Sequence, residues 1–213
     1  MLPKAVLFDM DGLLVDSEPY WLFSEAKIAA SLGISWDETD QRYCLGGPLS
    51  KVGDYLAARS GLAEQKAQEL VIQIVDGVIS QVNQRGVEIL EGGIELLAIL
   101  AAKRIPIGLV SASPRRLVDA VLNSTKLSFD TVISLDDCSP NKPFPDPYLL
   151  AANNLNVSIE DCLILEDSVT GVTGACKSGA QVIGIPRLVD LPSHPNLTIK
   201  KSLNEVCDLF LKM

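Results

Sequence analysis

Residues 5–8, Ala-Val-Leu-Phe, run directly into Asp9, Met10, Asp11 and Gly12. An unbroken apolar run of this length is what a strand buried on both faces of a parallel sheet requires, because neither face meets water. Such a strand needs partner strands on its edges and helices on its faces, which points the chain to an α/β layer fold. Leaving it through Asp-x-Asp-Gly sets two carboxylates at the strand's carboxyl end, the edge where open α/β sheets carry their ligands. Gly12 allows the sharp turn that follows. A turn-forming or helix-capping role explains one of these acids, less easily two. A calcium loop of the EF-hand kind does not fit, since the glycine comes too early and a strand precedes it.

Four more short aliphatic or β-branched segments have the character of strands: 107–110, 131–134, 162–165 and 181–185. Helical patterns separate them: one around Ile94, Leu97, Ala98 and Ala101, one after Ser113 with Pro114 in its first turn, one from Asp146 and one from Val169. A last helix is expected from Ser202 toward Leu211. This alternation predicts a doubly wound parallel sheet of Rossmann-like type.

Between Ser17 and about Arg85 the alternation stops, and the residues show helical spacing without a convincing strand. Leu70, Ile74, Val78 and Val82, with Val71, Val75 and Ile79 beside them, mark one long helix with a broad apolar face. The expected organisation is therefore an α/β core of residues 1–16 and 86–213 and an all-helical cap of residues 17–85, inserted after the first strand. Because the insertion starts just past the two aspartates, it stands over them as a lid.

Composition narrows the chemistry. The net charge of −9 argues against nucleic-acid binding, which needs basic surface. No apolar run reaches membrane-spanning length, and the strand that opens the chain leaves no room for a secretion signal, so a cytoplasmic monomer is expected. The five cysteines show no C-x-x-C pairing and suggest neither zinc nor disulfides. His194 is the one histidine and lies in a proline-rich stretch, which makes histidine catalysis a poor expectation.

Three further strand ends carry polar groups: Ser111, Ala112 and Ser113 after the second strand, Asn141 and Lys142 in a loop after the third, and Glu166, Asp167 and Ser168 after the fourth. Parallel strands share one direction, so all of these collect at one edge with Asp9 and Asp11. Carboxylates gathered this way repel unless a cation intervenes. Hard oxygen ligands without imidazole or thiolate favour Mg²⁺. Lys142 as a compact charge and Ser111 as a hydroxyl donor suit a phosphoryl group.

The segments Asp-Gly-Leu-Leu-Val-Asp-Ser-Glu-Pro at 11–19, Ser-Ala-Ser-Pro at 111–114, Lys-Pro-Phe-Pro-Asp-Pro-Tyr at 142–148 and Leu-Glu-Asp-Ser at 165–168 resemble the haloacid dehalogenase superfamily. Within it they are similar to the sugar-phosphate phosphatases of the beta-phosphoglucomutase-like branch. The resemblance implies a Mg²⁺-dependent phosphatase of small phosphorylated metabolites, with Asp9 as nucleophile forming an aspartyl-phosphate and Asp11 as acid, then base. It implies catalytic support from Ser111 and Lys142, and substrate contacts from Gly12, Ser111, Ala112 and Lys142. A metal site is implied at Asp9, the Asp11 backbone carbonyl and Asp167, with Glu166 directly or through water. Where members of the branch often carry a lid arginine, Lys51 is the available cation. Tyr20 and Trp21 lie in the region of the lid histidine used by the mutase, which favours hydrolysis. Phosphoryl transfer of the beta-phosphoglucomutase type and a non-catalytic phosphometabolite binder stand as alternatives.

Overall fold

The computed structural model describes residues 2–45 and 47–212. Its centre is a parallel sheet of β1 (Ala5–Phe8), β2 (Ile107–Val110), β3 (Thr131–Ile133), β4 (Cys162–Glu166), β5 (Gln181–Gly184) and β6 (Leu197–Ile199), in the order β3-β2-β1-β4-β5-β6. The order reverses direction at β1, which makes the β1 carboxyl end the crevice of a doubly wound sheet. β1 is fully buried and pairs on both edges, Val6 opposite Ile107 and Leu163, Phe8 opposite Leu109 and Leu165.

Alternate side chains divide the core between the two faces, as the pleat requires. Val6, Phe8, Leu109 and Leu165 pack with α5 (Gly93–Ala102), α6 (Arg115–Thr125) and α9 (Leu203–Leu211), through Leu96, Leu117 and Phe210 among others. Ala5, Leu7, Val110 and Ile164 pack with α7 (Asp146–Asn154) and α8 (Val169–Ser178), through Tyr148, Ala151 and Val172.

Between β1 and α5 the described chain is helical: α1 (Glu18–Ser31), α2 (Glu38–Cys44), α3 (Leu49–Ser60) and α4 (Ala67–Arg85). Along α4, Leu70, Ile74, Val75, Val78 and Val82 are buried, while Val71 and Ile79 are partly covered. Their partners are α1, α3 and, on the sheet side, α6, where Arg116 also pairs with Asp76 of α4. Two glycines allow close approach here. A Cβ on Gly53 of α3 would come within 2.5 Å of the Ala67 carbonyl, and one on Gly77 of α4 within 2.7 Å of Ser24 Oγ in α1.

Two sequence expectations need correction. The edge strand β6 was not anticipated, because its three residues are partly or well exposed and so carry no burial pattern. Pro114 precedes α6 as its cap residue instead of occupying the first turn. Among the described residues no helix is long and apolar enough to cross a membrane. Four of the cysteines are buried and Cys138 is partly so, all as free thiols.

Candidate active site

Past Phe8 the chain carries Asp9 and Asp11 and reverses at Gly12, whose φ of +83° favours glycine. The turn closes through Gly12 N–H to the Val15 carbonyl at 3.0 Å, while Asp9 N–H is anchored on the Leu165 carbonyl of β4 at 3.0 Å. Both acids line a cavity of about 330 Å³.

Lys142 enters this edge from the loop between β3 and α7. Its ammonium is buried and donates to Asp9 Oδ1 at 2.6 Å, Glu166 Oε1 at 2.6 Å and the Val110 carbonyl at 2.7 Å. All three donor positions are thereby used. Burial alone would lower its pKa, but the carboxylates of Asp9 and Glu166 more than offset this and raise it, so the side chain is a fixed positive charge. Glu166 is wholly buried. Besides Lys142, its Oε1 accepts from Tyr148 Oη at 2.6 Å, and its Oε2 from Ser168 Oγ at 3.2 Å and Asp167 N–H at 3.2 Å. Gly171 is required beside it, since a Cβ there would meet the carboxylate at 2.0 Å.

Asp9, Glu166 and Asp167 each place an oxygen within 4.8 Å of the others. Burial lifts the Asp9 carboxyl well above the ordinary range; Lys142 opposes this, and the neighbouring acids add to it. Burial and the Glu166 charge push Asp167 up to about 8. Asp167 Oδ1 is buried without a partner among the described residues, and a Cβ at position 12 would come within 2.2 Å of Asp167 Oδ2. Three hard oxygen donors facing one lysine, with one oxygen orphaned, fit a divalent cation of the Mg²⁺ kind.

The Asp11 carboxylate stands outside that trio. Its Oδ1 accepts from Ser17 Oγ at 2.5 Å and more distantly from Trp21 Nε1 at 3.5 Å, and its Oδ2 accepts from Ser113 Oγ at 2.8 Å. Hydroxyls accept as readily as they donate, so these serines can hold the carboxyl group in either protonation state.

Of the residues singled out in the sequence, Asp9, Asp11, Gly12, Ala112, Lys142 and Asp167 line the cavity, and Glu166 supports it from behind. Ser111 is buried and outside the lining; its Oγ accepts the Ser113 N–H at 3.0 Å, leaving its own hydrogen available to donate. Lys51 is not brought to the cavity. Its ammonium lies 4.3 Å from the centre of the Tyr43 ring, although its neighbours Ser50 and Val52 do line the wall. Sequence reasoning gave no contact with Asp11 or Glu166 to Ser17, Trp21, Ser113 or Tyr148, although Ser17, Ser113 and Tyr148 stand inside the quoted motifs and Trp21 in the noted lid region. The lining residue Arg187 carries no local signal.

The sequence profile of the haloacid dehalogenase-like hydrolases matches residues 6–185. Hexitol phosphatase B of Escherichia coli K12 is 35% identical over 185 residues, which cover 85% of this chain and 83% of that protein. The phosphorylated carbohydrates phosphatase of Thermotoga maritima is 31% identical over 186 residues, 84% of this chain and 83% of its own. The crystal structure of β-phosphoglucomutase from Clostridium difficile superposes with a TM-score of 0.80, covering 100% of this chain and 96% of that one at 23% identity, a likeness of fold. The matched span contains all four strand ends that meet around Asp9, and on that ground the chain belongs to the haloacid dehalogenase-like hydrolases.

Proposed function

We propose that the protein is a Mg²⁺-dependent phosphatase of small phosphorylated sugars that works through an aspartyl-phosphate on Asp9. The observation that carries this reading is the trio Asp9, Glu166 and Asp167 within 4.8 Å, with a buried lysine bridging two of its members. The sugar-phosphate class draws support from the hexitol and carbohydrate phosphatases among its relatives.

In this reading Lys142 fixes Asp9 Oδ1, and Oδ2, which accepts no hydrogen bond from a described residue, is free for attack. The Asp9 carboxylate forms a bond to phosphorus as the bond from phosphorus to the sugar oxygen breaks. Asp11 gives its proton to the departing alkoxide, then as a carboxylate takes one from the water that attacks the phosphorylated Asp9, releasing inorganic phosphate. Ser111 and the backbone at Gly12 and Ala112 hold phosphoryl oxygens, and the Lys142 charge attracts them through space. Mg²⁺ bound by Asp9, the Asp11 carbonyl and Asp167, with Glu166 directly or through water, would offset carboxylate repulsion and supply Lewis acidity. Residues 17–85 act as the cap over a core of 1–16 and 86–213, and limit water at the site.

Phosphate release from hexose and hexitol phosphates, measured with Mg²⁺ and with chelator beside isomer formation, tests the reading. Asp9→Asn is expected to abolish release with the fold intact by circular dichroism. Turnover retained in that variant would overturn it.

A further inference from the structure

Glu25 is 7% exposed, on the face of α1 that also presents Glu18 and Trp21 to the cavity. These residues stand at i, i+3 and i+7, the spacing of one helix face. No described residue donates a hydrogen bond to the Glu25 carboxylate, and no described cation pairs with it. Its oxygens are not among the enclosed orphaned atoms; they open on the cavity, where a bound hydroxyl can replace water as their donor. Around it the wall is largely apolar, with Cys44, Leu49 and Val52.

Its position relative to the reaction is set by Trp21, whose indole N–H reaches Asp11. Glu25 lies one helical turn beyond Trp21, roughly 6 Å along the axis. A phosphate held at Asp9 and a leaving oxygen at Asp11 would therefore send the rest of the alcohol past Trp21 toward Glu25, across the span of a short carbon chain.

Charge decides what that alcohol can be. Two cations line the cavity among the described residues, Lys142 and Arg187. Lys142 is committed to Asp9 and Glu166, and Arg187 pairs with Asp16 at 3.2 Å. A second anionic group on the substrate would thus meet Glu18 and Glu25 with no uncommitted cation among the described lining residues; Lys51, outside the lining, turns its ammonium to the Tyr43 ring. Hydroxyl groups, in contrast, bring donors without charge, which is what an unpaired carboxylate lacks. Burial and the Glu18 charge raise Glu25 to about 7, so near neutrality it can also donate to a hydroxyl oxygen.

We propose that Glu25 is a specificity-determining residue that hydrogen-bonds the hydroxyls of an uncharged polyhydroxylated leaving group and rejects substrates bearing a second anionic group. The assignment rests on the phosphatase reading above.

The test compares kcat/KM of the wild-type protein, Glu25→Gln and Glu25→Leu with Mg²⁺. The substrates are sorbitol 6-phosphate, fructose 1,6-bisphosphate, glucosamine 6-phosphate, glucose 6-phosphate and, as a reference without sugar hydroxyls, p-nitrophenyl phosphate. Glu25→Leu should lower the ratio of sorbitol 6-phosphate to p-nitrophenyl phosphate by about tenfold or more, the worth of one or two hydrogen bonds to a charged group. Glu25→Gln, which keeps the hydrogen-bonding atoms and removes the charge, should raise the ratio of bisphosphate to sorbitol 6-phosphate about tenfold. Either ratio staying within about twofold of wild type overturns the proposal. So does a wild-type preference of about tenfold or more for glucosamine 6-phosphate over glucose 6-phosphate, which would make Glu25 a counter-ion for an ammonium. Failure of the wild-type protein to hydrolyse even p-nitrophenyl phosphate would instead bring down the phosphatase reading, and the assignment with it.

Discussion

The Lys142 ammonium lies 2.6 Å from the Asp9 carboxylate, across 133 residues of sequence. The same nitrogen holds Glu166 at 2.6 Å, so one positive charge stands between two buried negative ones from β1 and β4. Fold and site share this contact, because the group that orients Asp9 is also the charge that lets Glu166 be buried.

Replacing that charge should therefore damage stability as well as chemistry. Lys142→Met leaves two buried carboxylates without their counter-ion and is expected to cost about 3–5 kcal/mol in urea denaturation at pH 7. A loss below about 1 kcal/mol would show that the pair is not a structural tie.

Asp11 should matter to turnover far more than to folding. Asp11→Asn keeps the shape and the acceptor oxygen but removes the transferable proton, and should lower kcat by about 10² to 10⁴. Ser113→Ala removes one of its holders and should reduce kcat by a smaller factor, with KM little changed. Steady-state kinetics on one sugar phosphate separates the two effects.

Divalent-ion binding should depend on pH through Asp167. Its carboxyl, raised to about 8 by burial and Glu166, must lose a proton to become a ligand, so Mg²⁺ affinity should rise from pH 6 to 8 and level off above. Thermal shift reports this directly, since ligand at a hundred times its Kd adds about 2.7 kcal/mol. Gly12→Ala, which would force a Cβ to within 2.2 Å of Asp167 Oδ2, should weaken the shift at every pH.

Glu25 predicts a pH dependence of opposite sense, in stability. Its folded pKa of about 7 stands above the ordinary 4.5, so the folded state holds this proton more tightly than the unfolded chain. The resulting penalty is absent below about pH 4.5, grows through the interval and is complete above 7, amounting to roughly 3 kcal/mol. Glu25→Gln should thus gain stability relative to wild type between pH 4.5 and 8, measured as a difference in urea denaturation. A difference that is flat with pH would refute the raised Glu25 pKa.

Much of this was legible in the sequence because local pattern and long-range burial agree. Ala5 to Phe8 could be read as a central strand since every residue in it is apolar, and α4 since its apolar spacing matches a helix packed on several sides. Residues that follow strands converge by topology alone, which is why Asp9, Lys142 and Asp167 were legible as one site. What was hidden depends on side-chain reach. Lys51 lies beside the cavity in sequence but finds the face of Tyr43, and Ser113, two residues past the expected Ser111, is the one whose hydroxyl touches Asp11. β6 was invisible because an exposed three-residue edge strand has neither a buried face nor alternation to reveal it.

Ser17 joins the β1 turn to α1, and its hydroxyl grips Asp11 at 2.5 Å. If Asp11 is the proton donor proposed above, an outward swing of α1 would carry Ser17 and Trp21 away together and leave it loose. On that reading the docking of α1 and readiness for proton transfer are mechanically tied, so a protein gaping to exchange its substrate would be idle at the very moment when bulk water has freest entry.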